Sequence, residues 1–341
     1  METLVDDIGS FPLPANVDRR DFEKAYSIAR EAMIEGKYLE KDEFLLKNFY
    51  KVVSNSFRKK LEAGLDVANY PQHCDMYRQF ADPIHKAMEE GTYIVDERAA
   101  IIPEVHVIAK EAKNICEETG RERIALRVCI TGPMELYLRE VGTTLYRDVL
   151  FMLAETVRNF ARTSIMRTKY LETKVVSIDE PSFGFQEIRA DQESLEEALE
   201  RALDFKGVVK QIHLHSPSRI PFLLSVKNLD VVSLEYAASP NNIEYVSRVM
   251  LEKADKQIRV GISRTDIDNI MAELHQKGIT KPSVEQLIEY KEIIRRRYIK
   301  AKEKYGERLT FTGPDCGLGG WPSQEAAQNL LKRTVEAVKS L

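Results

Sequence analysis

The residues best suited to chemistry are two histidines, a glutamate and a cysteine. His213 and His215 lie one residue apart in the run Gln211-Ile212-His213-Leu214-His215. If that run is a strand, positions i and i+2 face one side, and both imidazoles converge on one locus. Glu235 ends the next β-branched run, and Cys316 follows the last one. A buried carboxylate at such a place needs a cation or hydrogen-bond donors. Imidazole, carboxylate and thiolate together make a zinc donor set. The histidines also read as a hydrogen-bonded pair on a half-buried strand. Two further motifs carry a double reading. Asp179-Glu180-Pro181 is either a plain turn or a strand end where Asp179 accepts an ammonium group. Thr131-Gly132-Pro133 is either a turn before a helix or a place where Gly132 permits close backbone approach.

These residues must be held by regular elements, and the sequence shows which. Short β-branched runs occur at Leu4–Ile8, Leu65–Tyr70, Ile124–Thr131, Val175–Asp179, Val209–His215, Val231–Tyr236, Ile258–Ile262 and Leu309–Thr312. Between them, apolar residues recur at three- and four-residue spacing, clearest at Arg20–Glu35, Asp42–Glu62, Tyr146–Leu171, Gln192–Leu203, Val284–Tyr305 and Gln324–Leu341. Short strands separated by helices imply parallel pairing with crossovers. Eight such units predict an α/β fold of the closed (β/α)₈ TIM barrel type, with residues 1–341 forming one catalytic domain. A doubly wound sheet is the alternative, but it favours a Gly-rich phosphate turn after the first strand, and Ile8-Gly9-Ser10-Phe11-Pro12 has one glycine. The break at Gly36 predicts a helical hairpin inserted around residues 19–63. In a barrel, catalytic residues collect where strands end. The ends read here are Gly9-Ser10, Gln72-His73-Cys74, Thr131-Gly132, Asp179-Glu180, His213 to His215, Glu235 and Asp315-Cys316.

Composition narrows the function class. The chain has 341 residues, with 54 acidic against 50 basic side chains and a net charge of −4. No Lys/Arg-rich tract tracks a phosphate backbone, which argues against nucleic acid as a partner. No stretch approaches the ~20 apolar residues of a membrane span, and Met1–Ser10 lacks a signal-peptide layout. Cys74, Cys116, Cys129 and Cys316 are far apart and form no CxxC pair, so a cytoplasmic chain with reduced thiols is expected. Cys116 and Cys129 read as core packing. His85, His106 and His275 read as solvated or capping residues on helices. His73-Cys74 and Trp321 fall near the same mouth, where a role at the site and simple packing both remain open.

The motifs Ile8-Gly9-Ser10-Phe11-Pro12, Gly64-Leu65-Asp66-Val67, Thr131-Gly132-Pro133, Ile178-Asp179-Glu180-Pro181, His213, Glu235 and Pro314-Asp315-Cys316-Gly317-Leu318 occur in this order. Together they resemble the catalytic half of cobalamin-independent methionine synthase, over nearly the whole chain. The resemblance implies a zinc-dependent barrel that binds homocysteine as a zinc thiolate and methylates its sulfur. It implies metal ligation by His213, Glu235 and Cys316, with His215 where the family has cysteine. It places the amino-acid end of homocysteine on the turn holding Ile8 and Ser10, on Asp179, and on Gln72 where the family has glutamate. Asp179 and Glu235 are the implied catalytic residues. Without a second barrel, the chain resembles the short archaeal core forms, which implies a methylated corrinoid carrier or a methylfolate as donor. A related branch alkylates coenzyme M.

Such a site has a simple physical logic. A free alkyl thiol is mostly protonated at neutral pH, and coordination to Zn²⁺ removes the proton. Imidazole in place of a thiolate at position 215 removes one negative charge, as glutamine does at position 72. Two rival readings use the same residues: a zinc hydrolase that polarises water, and a thiol-binding barrel without turnover.

Overall fold

The computed structural model describes residues 2–340. Its strands, in chain order, are β1 (Leu4–Val5), β2 (Ala68–Asn69), β3 (Ile124–Thr131), β4 (Leu171–Asp179), β5 (Val209–Leu214), β6 (Val231–Leu234), β7 (Gln257–Ser263) and β8 (Leu309–Pro314). They pair in the order β1-β8-β7-β6-β5-β4-β3-β2, every pair parallel. The two ends of the sheet meet at a parallel bridge between Asp6 and Val67. There Asp66 N and Val67 N both donate to Val5 O, at 2.9 and 3.2 Å. The architecture is the (β/α)₈ barrel that the alternating runs predict.

Alternate strands fill the barrel interior in layers. Val67, Val175, Val231 and Phe311, from the four even-numbered strands, form a small apolar cluster separate from the main core. Above it lies an ionic layer from the odd-numbered strands: Asp6, Arg127, Gln211 and Arg259, all fully buried. Asp6 accepts from Arg127 Nη1 and Arg259 Nε, both at 2.7 Å, and Arg127 also reaches Gln211 Oε1 at 2.9 Å. The next even layer is small: Asn69, Ser177, Ser233 and Gly313. Residues at the C-terminal ends of the strands therefore sit above a buried, charged layer. The outer faces of the strands, Leu126, Val128 and Ile130 among them, pack on the helices in the large core.

Two helical segments stand between β1 and β2, as the break at Gly36 implies. The first, Arg19–Ile34, begins where the Asp18 carboxylate accepts from Arg20 N and Asp21 N. The second runs Glu43–Leu45, through a π-helical stretch at Leu46–Tyr50, to Lys51–Glu62. It buries Lys60 completely. The Lys60 ammonium donates to Asp7 Oδ2 at 2.7 Å, Gly9 O at 2.6 Å and Asn69 O at 3.2 Å, tying the ends of β1 and β2 together.

Two helices depart from the sequence pattern. The segment expected to run Tyr146–Leu171 ends at Thr163. Thr168 Oγ1 accepts from Tyr170 N and Leu171 N, a local turn that competes with the helix, and β4 starts at Leu171. The segment Val284–Tyr305 splits into Val284–Leu287 and Lys291–Tyr305. In the break, Glu289 takes up Arg264 N and the Arg297 guanidinium, both from neighbouring elements. The last helix is Gln324–Lys339, and Leu341 lies outside the described residues. Among the described residues no helix is long and apolar enough to cross a membrane.

Candidate metal and substrate site

His213 is the last inward-facing residue of β5, with Asp179 beside it on β4 and Ser233 on β6. Its Nδ1 lies 3.1 Å from Ser233 Oγ, while its buried Nε2 has no partner. A hydroxyl on one ring nitrogen orients the other, which is how metal-binding imidazoles are held. His215, two residues on, follows the end of the strand; the two rings meet edge to face with centroids 5.4 Å apart. His215 Nε2 is 3.5 Å from Cys316 Sγ and 3.7 Å from Glu235 Oε1. One donor atom from each of His213, His215, Glu235 and Cys316 lies within 4.8 Å of the others. Sequence spacing suggested this convergence, and the folded chain brings the four together.

Burial dominates the electrostatics. It pushes Glu235 up to about 8, with the charges of Asp315 and Asp266 adding to the effect. It raises the Cys316 thiol strongly, with Glu235 again contributing. Burial also lowers both imidazoles, His213 well below its ordinary value. Left alone, the cluster is therefore neutral: two free-base imidazoles, a carboxylic acid and a thiol. A divalent cation reverses this for the last two, because its charge favours carboxylate and thiolate. The unpartnered Nε2 of His213 and the mixed N, O and S donors fit zinc better than magnesium or calcium, which take oxygen ligands.

Asp179 lies beside this cluster, almost buried, and its Oδ1 accepts from Ser177 Oγ at 2.8 Å. Burial raises it to about 6, against the pull of Arg127 and Arg259 below. Ile8 is buried. The Ser10 hydroxyl accepts from Gly319 N at 3.1 Å, and Ser10 O accepts from Leu318 N at 2.8 Å, which locks the β1 turn to the loop carrying Cys316. That contact is close: a Cβ on Gly317 would lie 2.2 Å from Ser10 Oγ. Gln72 is buried, with Nε2 donating to Gln79 Oε1 at 2.8 Å and Oε1 accepting from Cys129 Sγ at 3.5 Å. Cys129 packs in the core as expected, with its sulfur beside Gln72, and burial raises its thiol to about 12.

The Asp-Glu-Pro and Thr-Gly-Pro motifs explain each other. Glu180 is buried and accepts from Met134 N at 2.9 Å and Glu135 N at 2.7 Å, capping the helix Pro133–Glu140. Its carboxyl group fills the space a side chain on Gly132 would need, with a Cβ there 2.1 Å from Glu180 Oε1. Sequence reading assigned no role to Glu180, Asp315 or Lys60. Adjacent acids at strand ends (Asp6-Asp7, Asp179-Glu180) were the available signal, since two neighbours on a strand face opposite ways and one must find a partner outside the barrel.

Other residues fall away from the cluster. His73 is buried, with Nδ1 2.9 Å from Phe11 O and Nε2 3.0 Å from Ser56 Oγ; burial drives it down to about 3, so it is a neutral packing residue. Cys74 packs against the apolar core. Trp321 is buried and donates Nε1–H to Thr265 O at 3.1 Å, anchoring the loop after β8 to that after β7. His85 is exposed and pairs with Glu140, and His275 is exposed. His106 is half-buried rather than fully solvated, and burial lowers its pKa.

No family model matches the chain, and no curated protein matches it. Among solved structures, the chain is similar to a B12-independent methionine synthase from Shewanella sp. W3-18-1, bound to selenomethionine. The TM-score is 0.62 at 14% identity, covering 100% of this chain and 98% of that one. The homocysteine methyltransferase MmuM from Escherichia coli aligns over 98% of this chain and 96% of its own, with a TM-score of 0.42 and 10% identity. At 14% identity the likeness to the Shewanella protein establishes the fold alone.

Proposed function

We propose that this barrel is a zinc-dependent methyltransferase that transfers a methyl group to the thiol of homocysteine to give methionine, acting in the cytoplasm as one catalytic domain. The observation that carries the reading is the placement of Asp179 directly beside the four-donor cluster. An amino acid bearing a thiol has two groups to be held, and the site offers an acid for the ammonium and a metal locus for the sulfur. His213, His215, Glu235 and Cys316 would hold the ion, which supplies deprotonation of the bound thiol. Zinc sites that accept a substrate keep one position open or have a ligand that yields. Glu235 is suited to yield, since its carboxyl group can be neutral when released.

The residues of the chain supply the rest. Ser177 holds one oxygen of Asp179, and the charges of Arg127 and Arg259 in the layer below favour its carboxylate, which would leave the other oxygen for the amine. Ser10, interlocked with Gly317 and Gly319, shapes the turn that receives the amino-acid end. With the sulfur anchored and the amine paired, the methyl donor must approach along the remaining open direction, from the mouth. A methylated corrinoid on a carrier protein, whose methyl group stands on the face of the ring, or a methylfolate, whose methyl group sits at the ring edge, would approach from there. An acidic Asp179 favours an amine-bearing thiol over a sulfonate-bearing one such as coenzyme M.

The test is a screen of acceptor thiols with methylcobalamin and methylfolate in the presence of zinc. Methylation of homocysteine is expected, with Asp179→Asn losing roughly 1.5–3 kcal/mol of transition-state stabilisation for the lost charge-assisted bond. Full activity of Asp179→Asn on homocysteine refutes the binding role. Preference for coenzyme M overturns the choice of acceptor.

A further inference from the structure

Asp315 immediately precedes Cys316 and is buried, yet it is absent from the four-donor cluster. Its carboxylate is fully engaged elsewhere. Oδ1 accepts from Tyr236 N at 3.0 Å and Ala237 N at 2.9 Å, and Oδ2 accepts from Ala238 N at 2.7 Å. Three consecutive amides closing on one anion form a nest, and each bond is charge-assisted. Those amides follow Glu235 directly. β6 and β8 do not pair with each other, because β7 lies between them. The Asp315 side chain therefore crosses over β7 to reach the end of β6, and it crosses at Gly261. A Cβ on Gly261 would stand 2.2 Å from Asp315 Oδ1 and 2.6 Å from its Cα. The main chain on both sides is tied as well. Asp315 N donates to Ser263 O at 2.9 Å, Cys316 N donates to Thr265 Oγ1 at 3.2 Å, and Glu235 O accepts from Asn242 Nδ2 at 2.9 Å.

We infer that Asp315 is a positioning residue: its carboxylate clamps the strand end carrying Glu235 to the loop carrying Cys316, and Gly261 is bare so that the clamp can cross β7. The inference rests on the metal reading above and extends it to a residue that touches neither ion nor substrate. The clamp is made wholly of protein groups, so the spacing of Glu235 and Cys316 is set before an ion arrives. Ligand positions must agree to a few tenths of an ångström, and loss of a group that orients ligands commonly costs 10–100-fold in metal affinity, to order of magnitude.

The experiment has two arms. In the first, zinc affinity is measured by chelator competition for the parent, Asp315→Asn and Gly261→Ala, with the optical spectrum of each Co²⁺-substituted protein. An amide presents a donor where the nest needs an acceptor, and a methyl group at 261 displaces the carboxylate from the other side. Both variants are expected to lose on the order of 10–100-fold in zinc affinity and to weaken the thiolate-to-cobalt charge-transfer band, while keeping the parent's far-ultraviolet circular dichroism. Parent-like affinity and spectrum in Asp315→Asn overturn the inference. In the second arm, hydrogen exchange is followed at Tyr236, Ala237 and Ala238 in the metal-free parent. Slow exchange that zinc barely changes supports a preformed clamp. Fast exchange that slows only with zinc overturns it, since the ion would then order the clamp. This arm needs no variant, so poor folding of either substitution leaves the question decidable. A parent that binds no zinc overturns the metal reading and the role of Asp315 with it; zinc held equally by parent and Asp315→Asn overturns the latter alone.

Discussion

If zinc binds where we propose, its affinity must depend steeply on pH. In the metal-free protein burial raises Glu235 to about 8 and holds Cys316 higher still, so both are protonated at neutral pH. Burial lowers the two imidazoles, so at neutral pH they are already free bases and give up no proton on binding. Each ion captured as a carboxylate and thiolate complex then releases two protons below about pH 8 and one above it. Each released proton makes affinity rise tenfold per pH unit, so from pH 6.5 to 7.5 it should climb roughly 100-fold, about 2.7 kcal/mol. Competition against a chromophoric chelator, calibrated for its own proton binding, measures the slope; calorimetry in buffers of different ionisation heat counts the protons independently. Glu235→Gln should lower the slope by one, because an amide has no proton to lose. A flat profile, or release of fewer than one proton, would refute the donor set. The same shift has a stability consequence of definite sign. A carboxyl whose folded pKa is raised contributes fully below its unfolded value, near 4.3, and loses that contribution as pH rises through about 8. The chelated protein should therefore melt lower at pH 8.5 than at pH 6, and zinc should narrow the difference, leaving the part due to Glu104 and Glu180, which burial also raises to about 8.

Gly132→Ala forces a methyl group into the Glu180 carboxyl, where a Cβ would lie 2.1 Å from Oε1, and also disturbs a helix cap. Urea unfolding should show a loss of about 2–4 kcal/mol, and a change below 0.5 kcal/mol would contradict the packing account. Lys60→Met leaves Asp7 buried without its cation, so about 3–5 kcal/mol should be lost by the same measurement. His73 is held neutral, its folded pKa depressed to about 3. Its contribution is complete above about pH 6.5 and is lost as pH falls toward 3, so acid unfolding of the parent should be steeper than that of His73→Gln.

The eight-unit alternation was readable because each strand is a β-branched run and each helix keeps an apolar stripe, and these periodicities are local. β3 coincides with its run, Ile124–Thr131. β4 begins earlier than its run because Glu172 and Lys174 hide the pattern, although Leu171 and Thr173 are buried. The ends of the helices at 163 and 288 were not readable, since hydroxyl turns and the recruitment of Glu289 decided them. Within the site, residue types and strand ends marked His213, His215, Glu235 and Cys316 as a possible set, because alternation on a strand is a local rule. Their mutual distances were not available, because Cys316 is 101 positions from His215 in the chain.

The sequence by itself determined which side chains could ionise, ligate or accept an amine, and that they fall at strand ends in a repeating β/α order. Only the tertiary structure decided what each strand end does with its spare carboxylate. Asp6 is paired in the ionic layer, Asp7 with Lys60, Glu180 with a helix end and Asp315 with three amides, while Asp179 keeps only the Ser177 hydroxyl and Glu235 lies beside His215. The reason is physical: burying a carboxylate is costly without a partner, and partners come from residues distant in sequence that closure of the barrel alone brings within reach.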